Sequence, residues 1–140
     1  MLVLAGCVAH PVGPARDLDG FRGKASTTVE SALSAVQTVR LLVDTAIDGD
    51  ALGAYTKVAV SEQEDALGGV RGTFMSIQPP PGPEVTALRA ELSTVLTSAF
   101  DHVGAVRIEA RRGNLDVLDD VAAPLQQDAD DLRALVEELE

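Results

Sequence analysis

Gln78-Pro79-Pro80-Pro81-Gly82-Pro83 is the segment that decides the fold. Three consecutive prolines remove three backbone donors and crowd the preceding turn, so no helix runs through them. Such a run prefers an extended polyproline geometry. On either side the apolar residues recur at three and four, the period of an amphipathic helix. The segment therefore reads as a wide connection between two helical pairs.

Downstream, a third helix is expected from Glu84 to Arg112, with Val85, Leu88, Leu92, Leu96, Ala99, Val103, Val106 and Ala110 on one face. Pro83 suits its first turn, and Glu84 suits the positive end of its dipole. Arg111 and Arg112 suit the negative end, and Gly113 terminates it. Asn114 then caps a fourth helix over 115–139, whose stripe includes Leu118, Leu125, Ala129, Leu132, Leu135 and Leu139. Pro124 lies inside this pattern and predicts a kink there.

Upstream, the second helix is expected from Ala51 to Ile77, with Leu52, Tyr55, Ala59, Ala66, Leu67, Val70, Phe74 and Ile77 inward and Glu62, Glu64 and Asp65 outward. Gly68, Gly69 and Gly72 weaken it by about 1 kcal/mol each relative to alanine. Close packing accounts for such glycines; a ligand cleft is the alternative, and Gly68, Gly72, Phe74 and His102 are its candidate lining. The first helix is expected from Thr28 to Asp48. Thr27 and Glu30 stand at capping-box spacing before Val29, Leu33, Val36, Val39, Val43 and Ile47. Asp48-Gly49-Asp50 is short enough to return the chain antiparallel. The fold class is thus all-α: an up-down-up-down antiparallel four-helix bundle over 25–140. Helices of this size are roughly 30–45 Å long at 1.5 Å per residue.

Residues 8–24 read as a flexible linker. Pro11, Gly13, Pro14, Gly20 and Gly23 punctuate them, and Asp17-Leu18-Asp19-Gly20 reads as a turn that lacks the remaining ligands of a calcium loop. Before the linker stands Leu4-Ala5-Gly6-Cys7. An apolar residue, two small residues and a cysteine resemble a bacterial lipobox, and the chain resembles the small actinobacterial-type lipoproteins. That resemblance implies that residues 1–7 are the remnant of a lipoprotein signal. It also implies that Cys7 carries the lipid and that the domain hangs on the outer side of the cell membrane. The reading from residue types alone is a free cysteine, a residue commonly buried, at the start of a cytosolic tail.

Composition narrows the function classes. Twenty-two acidic residues against 11 basic ones give a net charge of −11, and only three Phe, one Tyr and no Trp are present. A nucleic-acid partner wants a basic face or a stacking platform, so none is expected. No apolar run approaches the ~20 residues needed to span a bilayer. The fourth helix carries an acidic face of Asp116, Asp119, Asp120, Asp128, Asp130 and Asp131, opposed by Arg133. Such faces usually serve solubility; docking a basic partner is the sharper reading. Asp101 and His102 are adjacent on a helix and do not face each other, and Cys7 with His10 is too few ligands for zinc. There is no nucleophile elbow, phosphate loop or Glu-x-x-His pair. No catalytic residue, metal or cofactor is expected. The leading expectation is a non-catalytic, lipid-anchored extracytoplasmic bundle that binds a protein or cell-envelope component. A small-molecule or cation carrier and a cytosolic adaptor are the alternatives.

Overall fold

The computed structural model describes residues 13–49 and 51–140. Its elements are helical: α1 (Leu18–Asp48), α2 (Ala54–Ser76), α3 (Pro83–Arg112), a 3₁₀ turn (Leu115–Val117), α4 (Leu118–Ala122) and α5 (Pro124–Leu139). The domain is all-α, and no strand occurs among the described residues. Four helical arms pack around one core, the fourth being α4 and α5 in series. None of the described helices is long and apolar enough to cross a membrane.

The packing order follows from the contacts. α1 lies against α2 and α5, α2 against α3, and α3 against α4 and α5. Along the α2–α3 seam, Ser93 meets Met75, Phe100 meets Gly68, and Arg111 meets Ser61. Along the α1–α5 seam, Arg22 donates to the Glu138 carbonyl, while Arg40 and Val43 lie beside Asp119 and Gln126. In both seams residue numbers fall on one helix as they rise on the other, the sense of antiparallel packing.

The linker expected over 8–24 is corrected over its described part, because α1 begins at Leu18. Asp17 is its cap: the carboxylate accepts from the Gly20 amide at 2.8 Å. An aspartate in this place satisfies a first-turn N–H that the helix cannot. Phe21 and Ala25 then extend the stripe of Val29 and Ala32 backward, and all four are buried. Phe21 packs against Phe74 of α2 with ring centroids 5.8 Å apart. The buried Ala15 donates its amide to the Gln78 carbonyl at 3.3 Å, joining the chain before α1 to the proline segment. Two glycines did not break the helix, because this packing outweighs a propensity cost of about 1 kcal/mol apiece. The capping box falls mid-helix: Thr27 donates to the Gly23 carbonyl, and Glu30 accepts from Ser26.

α2 starts three residues later than expected, after Gly53. Leu67 and Phe74 are buried, but Tyr55 is 79% exposed and Ala66 is exposed as well. Glu64, expected outward, is half-buried and pairs with Arg107 of α3. The proline segment is held from the α3 side, where Arg89 donates to the carbonyls of Ile77 (2.7 Å) and Met75 (2.6 Å). α3 matches its expected span, and Gly113 ends it in the left-handed region at φ 74°. Asn114 caps no following helix; its side chain donates back to Glu109 at 2.9 Å.

The fourth arm is divided at Pro124. α4 stops at Ala122, and Pro124 occupies the first turn of α5, where its missing N–H is tolerated. The Asp120 carbonyl thereby lacks its helical donor.

Candidate functional site

Asp128 is the most informative polar residue. It was expected on the acidic outer face, and the structure corrects this: Asp128 is 2% exposed. It follows Leu125 by three residues and precedes Leu132 by four, so the helical period places it on the apolar stripe of α5. A buried carboxylate needs partners. Ser98 Oγ donates to one oxygen at 2.8 Å, and His102 Nδ1 lies 2.6 Å from the other. Ser98 and His102 are four residues apart on α3, hence neighbours on one face.

The acceptor assigns the proton. A carboxylate oxygen that accepts takes its hydrogen from His102 Nδ1, and Nε2 is the ring nitrogen outside that bond. The His102 side chain is 36% exposed, so the cluster sits at the rim of the α3–α5 seam. Its connectivity differs from a nucleophile–base–acid relay, in which the hydroxyl donates to the imidazole. Here the serine and the histidine both donate to the same carboxylate. The Ser98 proton is committed to Asp128, and the arrangement is a cross-helix latch.

The remaining acidic residues stay outside. Asp116, Asp119, Asp120, Asp130 and Asp131 are exposed. Gln126 donates to Asp130 at 2.9 Å and Gln127 to Asp131 at 2.7 Å, both at i,i+4 spacing. Arg133 adds a second donor to Asp130. These hydrogen bonds, Gln126 first and Arg133 next, hold the Asp130 carboxyl below its ordinary range. Asp119 also lines a shallow cavity of ≈100 Å³ with Arg40, Asp44 and Gln126, between α1 and the fourth arm.

The four candidate pocket residues do not converge. Phe74 points into the α1–α2 seam against Phe21, whereas His102 faces α5. Gly68 serves packing: a Cβ there would stand 3.1 Å from the Phe100 ring. Over that ring lies the Arg71 guanidinium, 5.3 Å from its centroid. Gly72 faces open space, so close packing does not explain it. Cys7, the expected lipid attachment point, lies outside the described residues.

Two features escaped the sequence reading. Ser98 was not singled out, although its i,i+4 spacing to His102 was available. The Glu64–Arg107 pair joins α2 to α3, and no spacing rule links residues 43 positions apart. In comparisons with known proteins, no family model, curated protein or solved structure matches the chain.

Proposed function

We propose that the protein is a lipid-anchored extracytoplasmic helical bundle that binds a protein or cell-envelope partner without catalysis. The observation that carries this reading is Leu4-Ala5-Gly6-Cys7 placed close to a folded domain. One anchored backbone group of the bundle, the Ala15 amide, lies eight residues beyond Cys7. Eight residues reach at most about 28 Å when fully extended. A lipid on Cys7 would therefore hold one end of the bundle close to the bilayer, the end where α1 begins and α2 and α5 finish. The opposite end would point away. Asp116, Asp119, Asp130 and Asp131 would then present exposed negative charge along the fourth arm to a basic partner. The non-catalytic reading is supported by the Ser98–Asp128–His102 connectivity, in which the hydroxyl donates to the buried carboxylate and no imidazole is aligned on it.

The test is membrane fractionation of the native protein with mass analysis of its N-terminal peptide. The expected result is a diacylglyceryl-modified Cys7 in the membrane fraction and release of a Cys7→Ala variant. An unmodified thiol on protein recovered from the cytosol would overturn the proposal.

A further inference from the structure

The outer face formed by α1 and α2 differs from the rest of this acidic surface. On α1, Thr27, Ser31, Ser34, Thr38, Leu41 and Thr45 follow one another at three and four and share a face. On α2, Tyr55, Val58, Glu62, Ala66, Gly69 and Thr73 do the same. Lys24 and Glu62 lie on the strip, with Glu30, Asp48 and Asp65 at its rim. Two shallow apolar grooves, ≈330 and ≈310 Å³, lie between the helices, with Thr27, Thr28 and Thr73 lining both. Toward the other end, Leu41 is 66%, Tyr55 79% and Val58 56% exposed.

Four of the hydroxyls on this strip are already occupied. Thr27, Ser31, Thr38 and Thr45 donate to the carbonyls of Gly23, Thr27, Ser34 and Leu41, at 2.7–3.2 Å. Covering the strip would leave none of these four donors without an acceptor, which lowers the cost of drying it. Gly69 faces open space, and a Cβ there would meet nothing within 4 Å. Its helix-weakening effect is unexplained within one chain, but it would let another backbone approach closely.

We infer that this α1–α2 face is the contact surface of a homodimer. Two observations select a second copy as the occupant. The first is area. α2 is about 35 Å long, and two helices side by side are about 20 Å wide. The resulting strip of about 700 Å² is close to the ~800 Å² per partner of a standard stable interface. The second is charge. Nine acidic residues against Arg133 lie between 115 and 140. The fourth arm that holds them packs on α1 and α3, diagonally across the bundle from α2. Association through the α1–α2 face keeps the two acidic arms of a −11 chain well apart, whereas any face that includes the fourth arm would bring them together. A two-fold axis along the helices sets α1 of one copy on α2 of the other and leaves both N-terminal ends on the same side. This association does not depend on the lipid reading.

Sedimentation velocity of the full-length chain, reduced so that Cys7 cannot link copies, tests the inference. The expected species has twice the mass of one chain and tightens as salt screens the net charge. Tyr55→Glu combined with Val58→Glu raises the dissociation constant about 30-fold or more, as expected for two charges placed in a covered contact. Gly69→Leu does likewise, while Asp131→Asn has no such effect. Circular dichroism shows that each variant keeps its helix content, since all these side chains are exposed. A single-chain mass at every concentration and salt would overturn the inference. So would a dimer indifferent to the Tyr55, Val58 and Gly69 substitutions.

Discussion

Replacing His102 with alanine tests whether Asp128 is a latch whose strength depends on completeness. The substitution leaves a carboxylate that is 2% exposed with one donor, Ser98 Oγ, where it had two. An unsatisfied buried acceptor costs about 1–3 kcal/mol. His102 lies at the rim with its side chain 36% exposed, so water can enter the vacated space and replace part of the lost bond. A loss of about 2 kcal/mol is therefore expected. For a domain of this size that is a fall in Tm of roughly 6–10 °C. The diagnostic result concerns the second substitution. In the His102→Ala background, Asp128→Leu removes the stranded charge and extends the stripe of Leu125 and Leu132. The double variant should be more stable than His102→Ala alone by about 1 kcal/mol. Thermal and urea unfolding followed at 222 nm at fixed pH would measure both steps. A double variant no more stable than His102→Ala would refute the reasoning, because Asp128 would then be accommodated without its histidine.

Three further outcomes follow from the helices themselves. Gly72→Ala should stabilise the fold by up to about 1 kcal/mol, since its Cβ meets open space. Gly68→Ala should gain far less, because its Cβ presses on Phe100; equal shifts in Tm would contradict the close-approach account. Asp17→Ala should cost about 1 kcal/mol and speed hydrogen exchange in the first turn of α1, leaving residues 28–48 protected. Acid should weaken the fold through Glu109 and Asp130. Asn114 and then Arg112 hold Glu109 below its ordinary 4.5, and Gln126 and then Arg133 hold Asp130 below its ordinary 3.8. Lowered folded values mean stability that is present above those pH values and lost as pH falls below them. Asn114→Ala should flatten the acid limb of a urea-midpoint profile between pH 3 and 6.

Helical period carried most of the architecture. α3 was legible almost to the residue, because Pro83 and Gly113 bracket an unbroken stripe. The break at Pro124 was legible for the same reason: proline acts through its own covalent structure. The start of α1 was not. Gly20 and Gly23 argue locally for a loop, and the contacts that overrule them, Phe21 on Phe74 and Ala15 on Gln78, join segments more than 50 residues apart. The face of Tyr55 was misjudged because a phenol satisfies an apolar period whether or not another helix covers it. Asp128 shows the reverse. Its position on the stripe was readable, but its charge pointed outward until Ser98 and His102 were seen to supply its hydrogen bonds.

The outward Tyr55 has an optical consequence. It is the single tyrosine in a chain with no tryptophan. Nearly all intrinsic emission therefore arises from a ring already in water, and unfolding changes its surroundings little. In the undimerised chain, fluorescence would pass almost silently through the melting transition that circular dichroism records. The same ring would dim or shift when another surface closes over it. The chain thus carries its own spectroscopic probe, one blind to melting and responsive to contact.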